Sequence, residues 1–142
     1  DHRDLHSFPT RRSSDLDSMR GITFVSAHPK SPMRGCKEWS AGIIGLGELA
    51  TTQKQGDITV VLGDLNSGTD HPSFRKLLNS GFKDAALCEA KGRHATFPSW
   101  LPWPRIILDH VLFTKGLYAS DVSSFCVEGS DHLALVATLT LK

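Results

Sequence analysis

The segment "DITVVLG" (57–63) constrains this chain more than any other. It is a short, β-branched, almost continuous apolar run, and such a strand is stable in water only when both of its faces are covered. It then stops abruptly at "DLNSG" (64–68), presenting Asp64 and Asn66 two residues apart. If the strand continued through both, their side chains would share a face, about 6–7 Å apart along the chain. An Asx-turn accounts for the same residues without any site.

The flanking segments fit a mixed α/β domain. "GITFVSAH" (21–28) reads as a strand ending at His28, followed by the proline- and glycine-marked loop "PKSPMRG". Trp39, Ile43, Leu46 and Ala50 recur at helical spacing and predict an amphipathic helix over 37–54, weakened by Gly42, Gly45 and Gly47. "TDHPSFRKLLNSGF" predicts a second, short helix, with Pro72 in its first turn, Phe74, Leu77 and Leu78 inward, and Gly81 past its end. Residues 88–104 look irregular, with Pro98, Pro102 and Pro104 among Phe97, Trp100 and Trp103, which read as a packed loop or a substrate-facing rim. "RIILDHVLFT" and "SDHLALVATLTL" supply two further strands.

Composition narrows the class. With 142 residues the chain has room for one modest domain, and 39% hydrophobic with 22% charged residues is a globular balance. A formal net charge of +1 announces no polyanion binder. Cys36, Cys88 and Cys126 match no zinc spacing and no disulfide framework. No apolar run approaches the roughly 18 residues that span a bilayer. Residues 1–16, "DHRDLHSFPTRRSSDL", lack the apolar region of a signal peptide. They resemble the conceptual translation of a sequencing-library adapter, so they are expected to be a non-native segment ahead of a domain over 17–142. A chain opening on an adapter is expected to lack upstream sequence, which leaves its localisation open.

Polar residues cluster where strands begin or end: His28, Asp64 with Asn66, Asp109 with His110, and Asp131 with His132. An ionised Asp109 inside an apolar run is costly unless paired or bound to a cation. Three aspartates, an asparagine and imidazoles suit oxygen ligation of a hard cation together with proton transfer. Each also has a structural alternative, a turn acid, an edge ion pair with Arg105 or Lys115, or a core histidine. His71 and His94 receive no role.

Taken in order, "GDLN", "LDHVL" and "GSDH" resemble the C-terminal motif series of the endonuclease/exonuclease/phosphatase superfamily, the DNase I-like fold, over residues 21–142. "SAHPKSP", "TDHPSFRKLL", "GFKDA" and "TFP" are similar to words of its bacterial members. Leu65, where Phe is commoner, and "RIILDH" depart from the pattern without touching a polar position. The resemblance implies part of a four-layer α/β sandwich whose N-terminal portion, with its metal-binding Glu and an Asn, is missing. It further implies a phosphoesterase, nuclease or phosphatase, dependent on Mg2+ or Mn2+. Its substrate would be a nucleic acid, a phospholipid head group or a nucleotide, and no obligate protein partner is evident.

By the resemblance, Asp64 activates water and Asn66 steadies it or the phosphate. His132 contacts a phosphate oxygen with Asp109 behind it, and His28 serves the leaving group. Asp131 lies near the metal, for which Asp64, Asn66 and Asp131 are the candidate ligands, and His110 is structural. The isolated chain is expected to be marginally stable and nearly inactive. A non-catalytic interaction domain on the same fold is the alternative. A serine hydrolase is not, because Ser130, Asp131 and His132 are sequence neighbours without a Gly-x-Ser-x-Gly elbow.

Overall fold

The computed structural model describes residues 20–142 in full and, before them, the backbone of Arg12–Ser14. The expected non-native segment 1–16 and its boundary therefore lie almost wholly outside the described residues. Five strands form the main sheet in the order β1-β2-β3-β5-β4. They are β1 (Arg12–Ser14), β2 (Gly21–Ser26), β3 (Ile58–Asp64), β4 (Lys83–Asp84) and β5 (Asp109–Phe113). A two-stranded antiparallel sheet pairs β6 (Leu117–Phe125) with β7 (Ala134–Leu141).

The apolar run is central and covered on both faces. β2 runs parallel to β3, Ile22 opposite Ile58 through Ser26 opposite Leu62, and β5 runs antiparallel on its other side. Strand alternation sends Val61 to one face and Ile58 and Val60 to the other, and all three are about 1% exposed. On the first face Val61, Leu65 and Leu112 pack with Trp39 and Ile43 of α1 (Cys36–Gly45) and Phe74 and Leu77 of α3 (Pro72–Asn79). On the second face Ile58, Val60, Val111 and Phe113 pack with Leu117 and Val122 of the small sheet and Ala85 of α4 (Ala85–Glu89). Helices, main sheet and second sheet are thus stacked layers, a mixed α/β fold as expected. Among the described residues no helix is long and apolar enough to cross a membrane.

Several elements differ from expectation. The helix predicted over 37–54 breaks into α1 and α2 (Glu48–Thr51) around Leu46 and Gly47. A Cβ on Gly47 would lie 2.9 Å from Ser80 Oγ and 3.0 Å from Ile44 O, so the corner is set by its close approach to the end of α3. Strand β6 has no counterpart in the sequence reading, because "LYASDVSSF" offers mainly Leu117 and Val122 to the core and bulges between Ser120 and Ser123. The "RIILDHVLFT" strand is only Asp109–Phe113, and the last strand starts at Ala134 rather than Ser130. The short helix over 72–79 falls where it is expected, with Pro72 at its first position.

Just before Asp64, Gly63 has φ +144° and approaches the segment after β2 so closely that a Cβ would meet the Ala27 carbonyl oxygen. Both conditions admit only glycine. Gly63→Ala is therefore expected to destabilise the fold by roughly 1–3 kcal/mol, the range for residues forced into a sparsely populated backbone region. A urea-denaturation midpoint unchanged from the parent chain would contradict this.

Candidate active site

The antiparallel register of β3 and β5 sets Asp64 directly opposite Asp109 at one end of the main sheet. Like charges facing each other across two strands repel, so the pair needs positive charge or donors between them. His132 supplies both. Its Nδ1 lies 2.7 Å from Asp109 Oδ2 and its Nε2 lies 3.7 Å from Asp64 Oδ2. His28, in the loop after β2, brings its own Nε2 to 3.5 Å from Asp64 Oδ2. Four residues separated by up to 104 positions in the sequence thus share one strand end.

The supporting contacts come from three loops. Thr96 Oγ1 donates to Asp109 Oδ2 at 2.5 Å, fixing the carboxylate that faces His132. The turn carrying His132 is tied to the 96–99 segment, since Leu133 N–H donates to Thr96 O and Ser99 N–H donates to Asp131 O. Phe97 packs its ring 4.9 Å from the imidazole. Thr96 is a site residue that sequence reasoning misses. Only its place in "TFP" marks it, because a lone threonine in an irregular stretch carries no periodic signal.

Asn66 differs from the expected geometry. β3 ends at Asp64, and Asn66 adopts φ +49°, so the two side chains do not share a strand face. Instead the Asn66 N–H donates to Asp64 Oδ1 at 2.8 Å, the Asx-turn that the sequence leaves open. Its Nδ2 donates to Pro29 O, which ties the His28 loop to this turn, and its carbonyl accepts from Trp39 Nε1. Asp131 is exposed, its carbonyl is held by Ser99, and its charge acts on His132. His110 points away from the cluster: its Nδ1 meets Asp84 Oδ2 at 2.5 Å and its Nε2 meets Ser67 O at 2.7 Å, both buried, with Phe74 against the ring. That is the structural role expected of it.

A divalent cation is implied by the resemblance, and the donor set can be compared with it. Among the described residues no group of three or more His, Cys, Asp or Glu side chains is arranged to hold a metal ion. Asp64 and Asp109 are turned onto imidazoles, and the Asn66 side chain reaches toward Pro29. These residues do not make a cation cage by themselves. The chemistry they offer is that of carboxylates paired with imidazoles.

Partial burial alone would lower the His132 pKa. Its hydrogen bond to Asp109 and the charges of Asp109, Asp64 and Asp131 outweigh it, and the net shift is upward. A histidine with a raised folded-state pKa adds stability that is fully present below its unfolded pKa, about 6.5, and is lost as pH rises through the folded value. The melting-temperature gap between the parent chain and His132→Gln should therefore be widest near pH 6 and shrink toward pH 9. In the same vein, Asp109→Asn should move the His132 NMR titration midpoint downward; an unmoved midpoint would show that Asp109 does not hold the proton there.

Solved structures share this fold. The chain resembles an endonuclease/exonuclease/phosphatase family protein from Leptotrichia buccalis (TM-score 0.70, 15% identity, covering 93% of this chain and 53% of that one). It is similar to a mannosyl-6-phosphatase from Bacteroides thetaiotaomicron (TM-score 0.66, 17% identity, 88% and 53% covered). It is also similar to TDP2 from D. rerio in complex with a single-strand DNA product (TM-score 0.71, 12% identity, 94% and 68% covered). The chain spans about half the length of the first two of these proteins. No curated protein sequence matches it. The sequence profile of the Endonuclease/Exonuclease/phosphatase family matches residues 3–132, and the chain belongs to that family.

Proposed function

We propose that the chain carries the carboxylate–imidazole part of a phosphoester-hydrolase site, acting on a phosphodiester or phosphomonoester. The observation that supports this most directly is the bridging of Asp64 and Asp109 by His132, with His28 beside Asp64. A phosphate ester is an anion that repels its nucleophile, so hydrolysis needs a base for water and positive donors for the phosphoryl oxygens. In this reading Asp64 takes the proton of the attacking water, and the Asn66 turn holds that carboxylate in place. His132, kept protonated by Asp109, donates to a phosphoryl oxygen, and His28 delivers a proton to the leaving oxygen. Asp131 adds charge that favours the protonated His132.

The family's cation requirement belongs to the proposal, with Mg2+ or Mn2+ as the ion and Asp64, Asn66 and Asp131 as the oxygen donors this chain offers. Magnesium commonly keeps several waters and takes only one or two carboxylates. Because the chain spans about half of the two bacterial structures named above, turnover by this polypeptide is proposed to be low.

Hydrolysis of bis-p-nitrophenyl phosphate with magnesium should be slow, abolished by EDTA, and lowered about 100-fold by Asp64→Ala, a typical loss for a general base. Rates insensitive to both would overturn the reading and favour a non-catalytic interaction domain. A readout independent of turnover is the His132 ring signal: inorganic phosphate should shift it in the parent chain, and His28→Gln should weaken that response.

A further inference from the structure

Asn66 stands in a left-handed conformation, φ +49°, just past the strand that ends at Asp64. A residue other than glycine persists there only where its surroundings hold it. Three of its polar groups are engaged, each in a different direction. The N–H donates to Asp64 Oδ1 at 2.8 Å, Nδ2 donates to Pro29 O at 3.1 Å, and the carbonyl accepts from Trp39 Nε1 at 3.1 Å. Two of these bonds lead to groups to which proton transfer is assigned above: Asp64 itself, and Pro29, the chain neighbour of His28. The third leads away from the site, into the helix-side core.

Trp39 is anchored where it can hold that carbonyl in place. It is 8% exposed and belongs to the core cluster of Ile43, Leu65, Phe74 and Leu77. Its ring meets that of His71 edge-on, centroids 5.0 Å apart. His71 precedes α3 and accepts from Gly68 N–H through Nδ1 at 3.1 Å, so the side chain that seats the indole also ties down the end of the turn. A buried indole N–H needs an acceptor, and here it finds one 27 positions away, on the residue that holds the Asp64 carboxylate. The N–H and the carbonyl of Asn66 lie on the two peptide planes that its φ and ψ relate, so fixing one sets the direction of the other. An indole N–H only donates and does not titrate, which makes this brace constant across the range in which histidines change charge.

We propose that Trp39 is a positioning residue for proton transfer: its N–H fixes the backbone of Asn66, which orients the Asp64 carboxylate and tethers the His28 loop. This rests on the phosphoester reading above and adds to it a residue outside the polar cluster. Trp39→Phe keeps an aromatic ring in the core and removes the N–H. Ile43→Val, on the same helix and fully buried, trims the same core and leaves every hydrogen bond of the turn in place. In the full chain, the Asn66 amide should exchange its hydrogen about tenfold faster in Trp39→Phe, measured by NMR against the Val60 amide of β3, and at the parent rate in Ile43→Val. The kcat for bis-p-nitrophenyl phosphate with magnesium should fall about tenfold, with KM unchanged, in Trp39→Phe only, the loss expected for one hydrogen bond.

Coupling through Asn66 is reciprocal. Asp64→Ala should shift the protected indole N–H resonance, recognisable because Trp100 and Trp103 are exposed, and Asp109→Asn should leave it in place. This arm needs no change at Trp39 and decides the proposal if Trp39→Phe fails to fold. An Asn66 amide and a kcat untouched by Trp39→Phe, the same changes in Ile43→Val, or a rise in KM alone would overturn the proposal and leave Trp39 as core packing. Turnover that Asp64→Ala does not lower would remove the site reading itself, and the proton-transfer role with it, whatever the amide shows.

Discussion

Two aspartates facing each other across adjacent strands are the constraint from which the rest of this structure follows. The register that pairs Asp64 with Asp109 also pairs Val61 with Leu112, so it cannot slip by one residue without moving the core side chains to the wrong faces. Burial of the apolar run therefore fixes the juxtaposition of the acids, which on its own would be repulsive. What relieves it is a histidine delivered from 23 residues beyond Asp109 and a hydroxyl from 13 residues before it. The site is a by-product of strand pairing, completed by loops.

Those loops are also coupled to one another. Pro29 O accepts from Asn66 Nδ2, joining the loop after β2 to the turn after β3. Trp39, whose ring is buried in the helix-side core, donates to the carbonyl of the same asparagine. On the other flank, Thr96 and Ser99 hold the turn that carries His132. Asp64 is thus braced from the helix face of the sheet and His132 from the proline-rich segment. Asp64, Asp109 and His132 are each held by a contact from outside the cluster.

The legible parts of the sequence are those where one physical rule acts alone. The run over 58–61 is readable as a doubly covered strand because both faces are apolar, and the helix over 72–79 because proline, periodic apolar residues and glycine coincide. Strand β6 is not legible: Ser120, Asp121, Ser123 and Ser124 dilute its pattern, and the second sheet buries it mainly through Leu117 and Val122. For the site, the ordered acids and histidines identify His28, Asp64, Asp109 and His132 correctly as neighbours. The conformation of Asn66 departs from the strand reading, since the strand ends before it and asparagine tolerates the left-handed region better than most residues do. Thr96 and Asp84 are marked only by the words "TFP" and "GFKDA", because their partners lie 13 and 26 residues away, beyond any local pattern.

Adjacent residues of β5 show how burial distinguishes two similar carboxylate–imidazole pairs. Asp109 and His110 point to opposite faces, and each meets the complementary partner, His132 or Asp84, in a carboxylate–imidazole pair. The His110 side chain is 4% exposed, and both its nitrogens are engaged, one by a carboxylate and one by the Ser67 carbonyl. Inserting any ligand there would break a buried hydrogen bond. The His132 side chain is 22% exposed, and its outward nitrogen stands 3.7 Å from Asp64, too long for a good hydrogen bond. A hydrogen-bond acceptor at that nitrogen would displace no strong contact. The two histidines differ in whether the second nitrogen is already satisfied, and that difference, rather than the residue types, separates a buried brace from an imidazole able to take a further partner.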